Sequence, residues 1–188
     1  MTMAIRMPWP TGPDPDDALE LQPFDPAFRG EWAWEQPRRL SSRWRLTCDG
    51  APVAALAVRA LMFKHSRARF ADGTWEVRHR FPFELVVGRA GETAAWGRYR
   101  PGWLVRGTVL RADGAPLLWR PDEFWMRRWS FATSEQLPLV HFRPRRTFLR
   151  HEAIVELEDA ARRMPDLPQL LVLGWVLLLR RYRGQHGD

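Results

Sequence analysis

The sequence predicts a mainly β protein whose strands close into an antiparallel barrel around one apolar C-terminal helix. Three observations carry that expectation. Short apolar runs are separated by turn signals roughly every 8–12 residues, the spacing of sandwiches and barrels. Eleven Trp among 188 residues supply large apolar bodies that favour strands. The segment 167–179, LPQLLVLGWVLLL, carries a single strongly polar side chain, Gln169, and a helix apolar all round has to be enclosed.

Residues 1–30 read as a flexible lead. Pro8, Pro10, Pro13, Pro15, Pro23 and Pro26 stand there among Gly and Asp, a composition that resists helix and sheet alike. Only 16–21 offers a short helical turn. One domain is expected over 31–188. Trp44, Leu46 and Cys48 alternate with Arg43, Arg45 and Thr47, the period of a strand with one buried face. Asp49-Gly50 is a hairpin signal leading into 53–59. Asp72-Gly73 joins the run ending at Phe70 to 74–80, and 88–91 separates 83–87 from 93–100. Pro101-Gly102 turns into 103–111, and Asp113-Gly114 into 116–120. Runs at 125–131, 137–143 and 147–157 follow, the last expected to break near His151. The echoes of FADG in RADG and of CDGAP in ADGAP need no more than the hairpin preference for Asp-Gly.

The helix is expected over 166–182. Leu is a strong helix former, Asp166 can cap, Pro168 suits a first turn, and Arg180 and Arg181 suit a last one. The apolar stretch spans about 20 Å, against about 30 Å of bilayer core, so burial in protein outweighs a membrane span. A barrel of eight strands is filled by its own side chains, and a larger one has room for a helix about 10–12 Å wide. Gly174 would let the wall come close.

Trp-rich hairpins ahead of Leu167, Pro168, Leu170, Leu171, Leu173, Gly174, Trp175 and Leu177 to Leu179 make the chain resemble the tubby-like barrel superfamily, which includes phospholipid scramblases and plant LURP-one-related proteins. The resemblance covers residues 40–183 and implies twelve antiparallel strands around a central hydrophobic helix. It also implies a basic surface for phosphoinositide headgroups. The acidic calcium-binding segment expected beside a scramblase helix has no counterpart, since Leu179 is followed by the basic RRYRGQHGD.

The formal charge of +7 invites an anionic partner. Lys64 is the only Lys among 29 basic residues, an Arg skew that GC-rich bacterial coding produces and that lowers the weight of Arg abundance by itself. The lone Cys48 provides neither a disulfide framework nor a cysteine metal site. Pro8, Pro10 and the acids Asp14, Asp16 and Asp17 do not form a secretory leader, so a cytoplasmic protein is expected.

No metal, cofactor or catalytic constellation is expected. The His residues (65, 79, 141, 151 and 186) show no ligand spacing. Ser41, Ser42, Ser66, Ser130 and Ser134 lack a nucleophile context. Glu152, Glu156 and Glu158 read as a solvated face. The candidate anion-binding residues are Arg127 and Arg128, between Trp125 and Trp129, with Arg143, Arg145 and Arg146 of the RPRR segment. Forked guanidiniums suit phosphate, and neighbouring Trp suits a headgroup zone or a base. The expectation is a non-enzymatic barrel that binds an anionic membrane surface or phosphorylated ligand, with nucleic acid ranked last. The competing expectation is an open-lumen ligand-binding or enzymatic barrel, which a lumen filled by Leu171, Trp175 and Leu178 would exclude.

Overall fold

A computed structural model describes residues 18–39, 41–58, 65–80, 83–103, 106–112, 114–123, 125–147 and 150–184. Twelve strands form in chain order: β1 (Trp32–Glu35), β2 (Arg43–Cys48), β3 (Ala51–Val58), β4 (His65–Phe70), β5 (Gly73–Arg80) and β6 (Glu84–Arg89) make the first half. The second half is β7 (Gly97–Pro101), β8 (Gly107–Arg111), β9 (Leu117–Pro121), β10 (Trp129–Thr133), β11 (Pro138–Thr147) and β12 (Arg150–Leu157). A four-residue turn of helix, α1 (Asp159–Arg162), precedes α2 (Leu167–Gly184). Each strand pairs antiparallel with its neighbours, and β1 closes the barrel by pairing with both β2 and β12.

The turns explain the register. Asp49 (φ 46°) and Gly50 (φ 79°) both take positive φ, as a two-residue hairpin matched to strand twist requires. Alternate residues then point inward: Trp32 and Trp34 of β1, Trp44 and Leu46 of β2, Trp119 of β9 and Phe142 of β11 are all buried.

Several boundaries differ from the sequence expectation. The WAWE segment is a strand, although Glu31, Glu35 and Gln36 crowd it. The break expected near His151 falls earlier, and His151 lies within β12. The runs at 103–111 and 125–131 begin as connections, and strands resume only at Gly107 and Trp129. For the second run Met126 (φ 54°) shows why, because left-handed backbone ends a strand. Residues 18–30 have no helix or strand, as their prolines predict, yet they are tied to the wall. Phe24 packs on Trp32 and Phe70, and Arg69 donates to the Leu19 carbonyl at 2.8 Å. The helical turn expected over 16–21 is absent from 18–21, and its first two residues lie outside the described set.

The helix α2 lies inside the barrel. Leu170, Leu171, Val172 and Leu173 are successive and all fully buried, so no face meets solvent. Trp175 stacks on Trp34 at 6.0 Å and meets Trp44 edge-on at 6.4 Å, placing it against β1 and β2. One residue earlier, a Cβ on Gly174 would overlap the Phe142 ring of β11 and stand 3.0 Å from Phe131 of β10. Adjacent residues therefore touch different stretches of the wall, which only an enclosed helix does. Leu171, Trp175 and Leu178 occupy the lumen. No helix among the described residues is long and apolar enough to cross a membrane.

Strand direction defines two rims. α2 begins at the lower rim, where β6, β8 and β12 finish, and ends at the upper rim, where β5, β7 and β9 finish. Asp166 anchors its start. This buried carboxylate accepts from Arg111 Nη1 at 3.0 Å and Trp96 Nε1 at 3.2 Å, while its backbone carbonyl accepts from the Leu170 N–H. The carboxylate thus turns to the wall instead of capping α2.

Candidate functional site

Burial sorts the apolar side chains into two populations. Most line the lumen, but among the described residues the three most exposed large ones are Trp103 (85%), Trp125 (76%) and Phe83 (66%). All three belong to connections at the upper rim: β5–β6, β7–β8 and β9–β10. Met126 is exposed beside Trp125. Basic side chains share this rim. Arg106 and Arg127 are exposed, and α2 delivers Arg180 and Arg181 to its centre. Apolar projections set among guanidiniums form a surface ill suited to water and well suited to an anionic apolar boundary.

Within the rim lies a cavity of about 300 Å³, lined by Phe83, Tyr99, Pro101, Trp119, Trp129, Leu177, Leu178, Arg180 and Arg181. Tyr99 is held flat over Gly107, where a Cβ would overlap its ring. Burial pushes the Tyr99 hydroxyl up to about 12, so it stays a neutral donor at physiological pH. Arg181 is engaged: its guanidinium lies 4.8 Å from the Trp129 ring centroid and donates to Met126 Sδ at 2.7 Å. Arg180 is different. It is half-buried and has no hydrogen-bond or ion-pair partner among the described residues. Burial pulls its pKa below the ordinary arginine value, though a guanidinium still keeps its charge. A desolvated cation without a carboxylate favours an anion.

The five arginines singled out from sequence do not form one site. Arg127 is exposed on the upper rim. Arg128 is turned to the wall, with Glu156 at 2.5 Å and Asp122 at 3.6 Å. Arg143 reaches the other oxygen of Glu156 at 3.7 Å. Arg145 is exposed and stands directly across from Glu152, and residues so paired share a face. Arg146 is in β11 opposite His151. Of the RPRR arginines, Arg143 is thus paired with an acid of β12.

One polar cluster on the outer wall has the residue types of a hydrolase. Ser130 of β10 donates to Asp122, and His141 Nδ1 of β11 lies 2.7 Å from the other oxygen of the same carboxylate. His141 Nε2 faces Glu158 at 3.3 Å. In a nucleophilic triad the serine bonds the imidazole, not the acid. Here Ser130 is fully buried and bonded to Asp122, so the cluster ties β10 and β11 to the β9–β10 connection. Among the described residues no group of three His, Cys, Asp or Glu is placed to hold a metal ion.

Sequence reasoning missed Arg180, which reads as a helix stop, and Phe83, Trp103 and Trp125, which read as strand residues. A signal was present: Pro82-Phe83 and Gly102-Trp103 put bulky apolar residues inside turn chemistry, where a core residue has no use. The chain matches no protein-family model, no curated protein and no solved structure.

Proposed function

We propose that this protein is a non-enzymatic, tubby-like barrel of the bacterial cytoplasm that docks end-on against anionic membrane surfaces through its upper rim. The observation that carries the reading is the placement of Trp103, Trp125 and Phe83, the most exposed large apolar side chains among the described residues, on the same rim as Arg106, Arg127 and Arg181. Trp and Phe partition into the headgroup zone, and guanidiniums near the surface gain about 1 kcal/mol each from anionic lipid. The twelve-stranded barrel around α2 is the architecture that a tubby-like relationship implies and supports that relationship. Calcium-driven scrambling is not part of the proposal, because Leu179 is followed by the basic RRYRGQHGD. The burial of Leu171, Trp175 and Leu178 inside the barrel supports this reading over the competing open-lumen enzyme.

Co-sedimentation with phosphatidylglycerol and phosphatidylcholine vesicles over a salt series tests the proposal. Binding should favour phosphatidylglycerol and weaken as salt shortens the Debye length to about 8 Å at 0.15 M. Equal, negligible binding to both would sink it.

A further inference from the structure

The rim cavity has a chemistry of its own. One part of its wall is aromatic and aliphatic, formed by Trp119, Trp129, Leu177 and Leu178. The charge there is cationic, and of its two guanidiniums only Arg180 lacks a partner among the described residues, Arg181 being held by Trp129 and Met126. At about 300 Å³ it lies at the small end of ligand sites, too small for a whole phospholipid. Apolar wall and single cation together match one chain with one anionic end. We propose that this cavity binds the end of a single apolar chain carrying a carboxylate or phosphate, with Arg180 holding the anion and Trp119, Trp129, Leu177 and Leu178 enclosing the chain. The Tyr99 hydroxyl lines the same cavity and can donate to the headgroup.

The inference rests on the membrane reading only for the ligand's source, a bilayer lipid as opposed to a free fatty acid. Calorimetric titration of the full chain with straight-chain carboxylates from hexanoate to dodecanoate, below micelle formation, tests the cavity without a membrane. Affinity should rise about fourfold per methylene while each addition is buried, then level off as the cavity fills. The alcohol of equal length should bind more weakly, and Arg180→Gln should erase that difference. Leu177→Phe should move the plateau to shorter chains. Absence of one-to-one binding, or an acid–alcohol difference unchanged by Arg180→Gln, overturns the proposal. Thermal melting of each variant shows whether a loss comes from unfolding, and the chain-length plateau in the unsubstituted protein needs no variant. Vesicle sedimentation of a Trp103→Ser, Trp125→Ser variant tests docking separately, since neither ring lines the cavity and that variant should lose vesicles and keep decanoate. Weaker vesicle binding by Leu177→Phe assigns the ligand to bilayer lipid; unchanged vesicle binding with altered decanoate binding assigns it to free fatty acid. Both support the site.

Discussion

The two rims of the barrel are made from the same kind of hairpin but from opposite chemistry. At the lower rim the five hairpin connections carry Asp49, Asp72, Glu92, Asp113 and Glu135, one acid each and no base. Between strands that meet at the upper rim lie Arg38, Arg39, Arg59, Lys64, Arg106, Arg127 and Arg128, against only Asp122 and Glu123. Those upper segments also hold Phe83, Trp103, Trp125 and Met126, exposed to solvent. Asp-Gly and Ala-Gly tips at the lower rim are what turn geometry alone would select. The upper rim departs from it, and a departure of that kind marks function better than it marks folding. The contrast also has a direction along α2, which starts beside the Arg111–Asp166 ion pair and near its other end carries Arg180, without an ion-pair partner among the described residues. One rim holds the helix in place; the other presents its end.

The sharpest way to break this division is to remove Asp166. Its carboxylate is the buried partner of Arg111, and both side chains are about a tenth exposed. Asp166→Ala leaves a guanidinium desolvated and the Trp96 indole without its acceptor. The expected cost is about 3–5 kcal/mol of stability, read as a lower urea midpoint. At temperatures where the variant is folded, its affinity for phosphatidylglycerol vesicles should be unchanged. A large loss of vesicle affinity in the folded variant would show that the two rims are not separable.

The converse test acts on the upper rim. Trp103→Ser and Trp125→Ser remove exposed rings that contribute little to folding, so stability should move by less than about 0.5 kcal/mol. Vesicle affinity should fall about tenfold for each, because half-burial of such a ring in the headgroup zone is worth about 1.4 kcal/mol. Leu137→Ser makes the matched control, since Leu137 is similarly exposed but lies at the lower rim. It should leave sedimentation unaltered.

These variants also show what was legible beforehand. The lower rim was almost entirely readable, because Asp-Gly turns announce hairpins by backbone conformation alone. The enclosed helix was readable too, through Gln169 as the one strongly polar residue of 167–179 and Gly174 as its point of close approach. The barrel's closure was less so, since β1 is only four residues long and its pairing with β12 spans most of the chain. The upper rim was misread for a physical reason. Trp103 and Trp125 continue the apolar alternation of the strands after them, and alternation does not reveal whether a ring faces core or solvent. Arg180 was hidden by the convention that cations close helices. The pairing of Arg128 and Arg143 with Glu156 was hidden as well, because Glu156 meets them only once β12 folds beside β11.

The smallest effect expected is on pH dependence, and it sets the barrel wall against the upper rim. His65 Nε2 lies 3.2 Å from Glu76, whose other oxygen is 2.7 Å from Arg67. Burial pushes the His65 imidazole below its ordinary 6.5, helped by Arg67 and Arg78 and opposed by Glu76. For Glu76, burial alone would raise the carboxyl, but the Arg67 hydrogen bond and the His65 and Arg67 charges hold it below 4.5. Folded His65 binds its proton more weakly than unfolded His65, so stability falls as pH drops below 6.5. The stability that Glu76 contributes is present above 4.5 and is lost as pH falls through its lower folded value. Both act in the same direction, and the urea midpoint should decline from pH 6.5 downward, with His65→Asn removing the first part of the decline. The rim groups behave otherwise, because guanidiniums keep their charge and Tyr99 titrates only near 12. Between pH 8 and 5.5, affinity for vesicles of constant charge should therefore stay level while stability drops. Affinity that followed the His65 titration would move the docking surface from the rim to the β4–β5 wall.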